Sequence, residues 1–368
     1  MKRIKALAAR SIGRIMGTIG TGSGRDATKA RVSARLTLAI TVAMLFALTG
    51  NSEGANGNFC TQTADALFEA CEDEVESESF IDKAICINIS NSKGRKECLD
   101  EREDALEEGN QLCKEQHDGR LDACKSLGED RYDPDFKPAL FDDPKNPNNP
   151  NPYFPLTIDN IWEYAGGTEF NTLEVLNETK LIDGVTCIVV RDQVFKDGDL
   201  VEDTDDWYAP AKDGNTWYCG EEVKDFESFD GDNPRIPELV SIDGSFKAGR
   251  DGAKPGIIFL ASPAPDDVYL EEFSLGNAED VTEILSTTYA FGSNPELDQF
   301  VPQQLAERFC SDADCVVTKN FSLLEPGIFA RKYYGLGIGV FLEVENTGEV
   351  VQLVDCNFDP RCDNLPTP

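Results

Sequence analysis

Cys60, Cys71, Cys86, Cys98, Cys113 and Cys124 are separated by 10, 14, 11, 14 and 10 residues, so the six positions mirror one another about residue 92. No other feature narrows the possible folds as far. Steps of 11 and 15 residues are close to whole numbers of helical turns, which keeps successive cysteines on one face of a helix. Cys60, Ala64, Leu67, Cys71, Val75, Ile81, Ile85 and Ile89 trace such a stripe on the first arm. Cys98, Ala105, Leu106, Cys113, Leu121 and Cys124 trace another on the return arm. Between the arms lies NSKGRK, with Ser92 as the expected N-cap and Gly94 as turn material. Two arms folded back on each other predict an antiparallel helical hairpin with rungs Cys60–Cys124, Cys71–Cys113 and Cys86–Cys98. The polar stretch VESESF (75–80) is where the first arm would break to give three helices instead of two. A lone helix pair buries little apolar surface, and each staple offsets this by about 2–4 kcal/mol.

A metal reading of these cysteines fails on spacing: zinc sites use close pairs such as C-x2-C, and neither that motif nor the haem signature C-x-x-C-H occurs. Disulfides imply an oxidising compartment, and the N-terminus agrees. Residues 1–35 carry nine Lys or Arg against a single acid, Asp26. The apolar run LTLAITVAMLFALTG (36–50) follows, and then small polar residues. That order reads as a signal peptide cleaved between residues 50 and 57. The run is short for a bilayer span, and no later segment qualifies. Without residues 1–50 the chain holds 25 Lys or Arg and 67 Asp or Glu, a net charge of −42. Such a chain repels nucleic acid and anionic lipid, and its acidic surface suits loose cation binding, weak calcium binding included. The expected location is periplasmic or extracellular, with no membrane span in the mature chain.

After the arms, residues 129–152 are rich in Pro, Asp and Asn without periodicity, as in a linker. Beyond them, β-branched and aromatic runs alternate with Gly- and Asp-bearing turns, the pattern of an antiparallel β-domain. In residues 184–221, Asp197-Gly198 and Asp213-Gly214 centre two expected two-residue hairpin turns. With those turns Cys187 faces Tyr208, and Tyr208 faces Cys219. The two cysteines would then lie two strand spacings apart, roughly 9.6 Å, too far for a bridge. Two free thiols in an oxidising compartment argue the other way, and the sequence leaves Cys187–Cys219 open. The same register puts Tyr208 and Trp217 on the cysteine face, and Trp207 and Tyr218 on the other. Cys310–Cys315 and Cys356–Cys362 close short loops as expected bridges. PELDQFVPQQLAERF (295–309) reads as a helical insert, and residues 333–354 as a final hairpin turning at Asn346 to Gly348.

Four segments carry a resemblance: NPYFPLTIDNIWEY (151–164), DLVEDTDDWYAPAKDGNTWYCGE (199–221), GSFKAGRDGAKPGIIFLASP (244–263) and EPGIFARKYYGLGIGVFLEV (325–344). Together they resemble a widespread, uncharacterised group of secreted bacterial proteins, some of which carry a Cys-rich helical N-terminal extension. The resemblance implies export and a mainly antiparallel β fold, and it brings no catalytic residue. The chain departs from that pattern at Pro210, Ala211 and Lys212, where group members often place acids before the DGN turn. The helical insert departs from it as well.

Chemistry-bearing motifs are few. The only histidine, His117, lies among Glu115, Asp118 and Arg120 with no nucleophile motif nearby, so Ser-His and Cys-His catalysis lack a base. GLGIG (335–339) lacks the following Lys-Ser/Thr of a phosphate loop. The Asp-rich turns KDGD and FDGDN lack the spacing of a calcium loop. Carboxylate pairs such as Asp205-Asp206 and Glu221-Glu222 arise readily among so many acids. Trp207, Tyr208, Trp217 and Tyr218 place an aromatic pair on each face of one hairpin, one for the core and one for a ligand. Arg250 and Lys254 stand in an acidic loop where they would pair locally or catch an anion.

The expected architecture is α+β: a disulfide-stapled antiparallel helical hairpin followed by an antiparallel β-meander curled into a barrel or half-barrel. The expected divisions are a signal peptide and leader (1–56), the hairpin (57–128), a linker (129–155), the β-domain (156–355) and a Cys-containing tail (356–368). The expected function is non-catalytic binding of an apolar, glycan-like or protein partner, without cofactor or catalytic metal. The rivals are a carboxylate-dependent hydrolase in the β-domain cavity and an acidic cation-holding envelope protein.

Overall fold

A computed structural model describes residues 57–368, so the expected signal peptide and cleavage site lie outside the described residues. Helix α1 (Phe59–Ile87) and helix α2 (Ser92–Leu127) form the hairpin. All three rungs join as the mirrored spacing predicts, with Cα–Cα separations of 5.7, 5.7 and 5.5 Å from base to tip. VESESF does not break α1. Ser79 turns inward, its carbonyl accepts from Arg102 Nε at 2.9 Å, and Gly109 leaves room for Val75. The cap of α2 is Asn91 rather than Ser92, its side chain accepting from the Gly94 amide at 2.6 Å. Ile81 and Ile85, expected on the buried stripe, are exposed near the tip together with Phe80 and Ile87.

The rest of the chain is one antiparallel sheet nearly closed into a barrel. Its strands are β1 (Ile161–Gly166), β2 (Glu169–Ile182), β3 (Val185–Lys196), β4 (Asp199–Pro210), β5 (Thr216–Glu222), β6 (Asp225–Glu227), β7 (Glu238–Ser241) and β8 (Phe246–Lys247). They continue with β9 (Lys254–Phe259), β10 (Val268–Leu270), β11 (Glu272–Phe273), β12 (Asp280–Tyr289), β13 (Cys315–Ser322), β14 (Ala330–Gly335), β15 (Gly339–Glu345) and β16 (Val350–Cys356). The order is β10-β12-β13-β14-β15-β16-β1-β2-β3-β4-β5-β9-β11, with β6 to β8 attached at the side. Strands β10 and β11 stand at opposite ends of that order, yet only Glu271 separates them along the chain. One short segment therefore draws the two sheet edges together, which leaves few unpaired edge groups.

The hairpin base clamps this seam. Arg120 donates through Nε and Nη2 to Glu279 at 2.8 and 3.0 Å, and both side chains are buried. Ala123 packs with Leu270, Val281 and Leu323 on the β10–β12 side. On the other side Tyr132 donates to the Pro255 carbonyl of β9 at 2.8 Å. Residues 129–155 lie along the barrel: Phe141 pairs with Ala211, and the buried Asn151 side chain donates to the Gly214 and Leu260 carbonyls.

Cys187 and Cys219 are bridged, with Cα atoms 6.8 Å apart. The simple meander fails twice. The Asp197-Gly198 turn forms as expected, both residues having positive φ, but a bulge at Val194/Phe195 then moves β4 by one residue, so Tyr208 faces Ile188. The second connection holds three residues, since Ala211 N donates to Asn215 O, and a second bulge opposes Trp207 to Gly220. A one-residue slip exchanges the two faces of a strand. Trp207 therefore joins the cysteine face, and Tyr208 turns inward with Tyr218. Gly220 has φ +129°, and a Cβ there would sit 2.2 Å from the Phe246 carbonyl oxygen, so only glycine lets β8 come alongside. Between the two cysteines β4 presents Ala209, which leaves the bridge space to cross.

Cys310–Cys315 and Cys356–Cys362 are also bridged, so no described cysteine is free. Of the insert at 295–309 only α3 (Gln303–Phe309) is helical. It packs with Leu297 and Val301 against the Tyr333 and Phe341 side of β14 and β15.

The Arg120–Glu279 pair gives a direct test. Arg120→Ala leaves a carboxylate buried without its cation, and urea unfolding of the oxidised protein should show a loss of about 3–5 kcal/mol. A loss below about 1 kcal/mol would mean that the pair does not hold the hairpin.

Candidate functional site

Inward-facing residues of the barrel alternate with outward ones, and in the lumen they do not fill the space completely. A cavity of about 120 Å³ remains, its wall drawn from strands far apart in sequence. Trp162 and Tyr164 come from β1, Val190 and Asp192 from β3, Asp206 and Tyr208 from β4, and Tyr218 from β5. Glu271 and Glu272 come from the seam, Asn320 from β13, and Lys332 and Tyr334 from β14. Phe154 and Pro155, at the end of the segment along the barrel, form part of the same wall.

The aromatic side is ordered. Tyr208 and Tyr218 stack with centroids 4.9 Å apart, and Phe154 meets Tyr208 edge-on at 5.1 Å. Their orientation is fixed by hydroxyls already in use. Tyr218 donates to Asp206, and Tyr164 donates to the Val340 carbonyl at 2.8 Å. Trp162 Nε1 likewise donates to the Ile338 carbonyl at 2.7 Å.

The polar side is a network across the seam. Glu271 accepts from Thr282 Oγ1 at 2.5 Å and from Asn320 Nδ2 at 2.7 Å, while Thr318 donates to Asn320. Lys332 and Glu343 are cross-strand partners in β14 and β15. Opposed residues of an antiparallel pair share a face, so Glu343 points the same way as the lumen-lining Lys332. Glu343 is 0% exposed and neither of its carboxylate oxygens has a hydrogen-bond donor. Burial raises its pKa to about 7, more than Lys332 lowers it, with Glu345, Glu169 and Glu271 adding repulsion. Burial also opposes the charge on Lys332, but Glu343, Glu271 and Asp280 outweigh it and hold the ammonium protonated above its ordinary range.

The structure separates the sequence-predicted site residues. Tyr208 and Tyr218 meet in the lumen. Trp207 and Trp217 lie on the outer face, where Lys180 and Lys247 cover the Trp207 ring at 5.0 and 4.7 Å. Phe136 and Phe141 pack on Trp217. Lys254 pairs locally, with Asp133 at 2.8 Å and the Tyr132 carbonyl at 2.5 Å, and Arg250 is exposed away from the lumen. His117 stays within the hairpin, stacked on Phe68 and 2.9 Å from Asp65. Trp162, Tyr164, Lys332, Tyr334 and Glu343 were not singled out by sequence reasoning. The signal for them was present as alternation, in IWEY, RKYY and FLEVE.

Among the described residues no three His, Cys, Asp or Glu side chains form a group able to hold a metal ion, and no helix is long and apolar enough to cross a membrane. No family model, curated protein or solved structure matches this chain.

A carboxyl raised from 4.5 to about 7 binds its proton more tightly in the folded state. Its contribution to stability therefore falls as pH rises between those values and is level above the upper one. Glu343→Gln should flatten this slope, gaining on the order of 3 kcal/mol over wild type between pH 4 and pH 8. Parallel curves for the two proteins in urea unfolding would show that Glu343 does not titrate this way.

Proposed function

We propose that this is an exported, non-catalytic binding protein that holds a small ligand in its barrel lumen. The observation that carries the reading is unfilled space lined by Lys332 and four tyrosines, with the buried Glu343 opposite Lys332 on the same sheet face. Interiors are normally packed without voids, and buried carboxylates normally have donors. A ligand that fills the gap and engages the polar groups accounts for both departures. Six bridges among the described cysteines support an oxidising compartment, as the expected leader does. The acidic surface suits a protein that stays dissolved after export, and the hairpin serves as a rigid arm.

A hydrolase reading has one observation in its favour. Val190 opposes Asp206 and Asp192 opposes Thr204, so Asp192 and Asp206 are diagonal neighbours on the inner face. Their Cα atoms are then roughly 7–8 Å apart, so the two carboxyl groups share one patch of the inner face, as paired catalytic carboxylates must. Tyr218 already donates to Asp206 and holds it as an acceptor, which suits anchoring better than proton transfer.

Native mass spectrometry of the protein purified from its own host should show a small-molecule adduct. Leu173→Trp, which places an indole in the lumen wall, should remove the adduct while the mass of the six-bridge protein is retained. An adduct that survives Leu173→Trp would overturn the lumen as the binding site, and wild type that carries no adduct and takes up no added small molecule would overturn ligand binding itself.

A further inference from the structure

The lining of the lumen is chemically lopsided. Asp192, Asp206, Glu271, Glu272 and Asp280 face one ammonium group, that of Lys332. Between low-dielectric walls such an excess focuses a negative potential above its surface value. A cluster of acids alone would say little, but Glu343 is different. It is fully buried, it shares the lumen-facing side of the β14–β15 pair, and both of its oxygens lack a donor. Lys332 attracts it without supplying the missing hydrogen bonds. Fully buried, donor-free carboxylate oxygens are costly unless something with N–H groups visits them.

Tyr164 and Tyr218 have committed their hydroxyls, so they offer ring surface rather than hydrogen bonds to an occupant. With Trp162, Tyr208 and Tyr334 they surround the cavity with aromatic faces and edges. Carboxylates beside aromatic faces are the surroundings that ammonium and guanidinium groups prefer, because ring quadrupole and carboxylate both attract positive charge.

We infer that the ligand of the lumen is a small organic cation, an ammonium or guanidinium group carried on an apolar body. The inference rests on the lumen-binding reading and deepens it. A bare metal ion does not fit, since no three of the described carboxylates converge on one point. An anion would meet five carboxylates before one lysine. The charged head sits toward Glu271 and Lys332, the lining residues whose charges Glu343 feels, and the apolar body lies against Leu173, Val175, Val190 and Ile258 of the wall.

Charge reversal of affinity is the signature to measure. Isothermal titration of the oxidised protein would use phenethylamine, agmatine, glucose and octanoate as probes. The amine or guanidine probe should bind, and weaken as sodium chloride rises. Lys332→Met removes a like charge and should tighten that binding by roughly tenfold or more. Glu343→Gln should weaken it to a similar degree. Salt dependence of the wild-type protein keeps the test independent of whether either variant folds. Binding of glucose or octanoate in place of the amines overturns the cation inference and leaves lumen binding standing, as does loss of binding on Lys332→Met. Should no probe bind, the charge of the host-derived adduct decides: a cationic adduct supports the inference and a neutral or anionic one overturns it. No probe bound and no adduct found would overturn both readings.

Discussion

The residues that bring β10 and β11 to opposite sheet edges are the constraint on which the molecule depends. A sheet of this length has two edges, and only a connection of one residue, Glu271, draws them together. The lumen exists because that seam is held. The Arg120–Glu279 pair and the Ala123 contacts secure one side, and Tyr132 on Pro255 secures the other. The stapled hairpin is thus a clasp as well as an appendage. Its disulfides supply the rigidity that a helix pair with so little buried apolar surface lacks.

The hairpin was legible because its information is local. Helical pitch converts spacing into direction, and a mirrored spacing converts direction into pairing, so three rungs followed from six positions. The β-domain yielded its class in the same way, through turns and alternation. Face assignment failed because it rests on bulges. Val194/Phe195 and Trp207/Tyr208 each shift the ladder by one residue, and nothing in the residues around the first marks its shift. Gly220 was the available hint, since a glycine inside a strand permits both a bulge and the close approach of β8. The bridge that register arguments disfavoured forms because those bulges bring Cys187 and Cys219 within reach.

Half of the candidate site was visible. Tyr208 and Tyr218 stand out as aromatics, although the expected register pairs each with a tryptophan rather than with the other tyrosine. Lys332 and Glu343 were hidden by a sound rule, that charged residues in alternating strands face water. In a barrel with a polar lumen the rule inverts locally, and only closure of the sheet shows where. Burial then does what exposure would not and lifts one carboxyl into the neutral pH range, while the acids around Lys332 keep its ammonium charged against the same burial.

Anchorage of the hairpin has a mechanical corollary. Contacts with the barrel begin at Gln116, which donates to the Leu324 carbonyl, while α2 starts at Ser92. At 1.5 Å per residue the free portion is about 36 Å long, and its cross-links prevent the two rods from sliding past each other. A tilt of about 10° at the base would carry the far end roughly 6 Å. That end presents Phe80, Ile81, Ile85 and Ile87 to solvent. A pull on those side chains would therefore reach the sheet edge with leverage, as torque on Arg120 and Glu279.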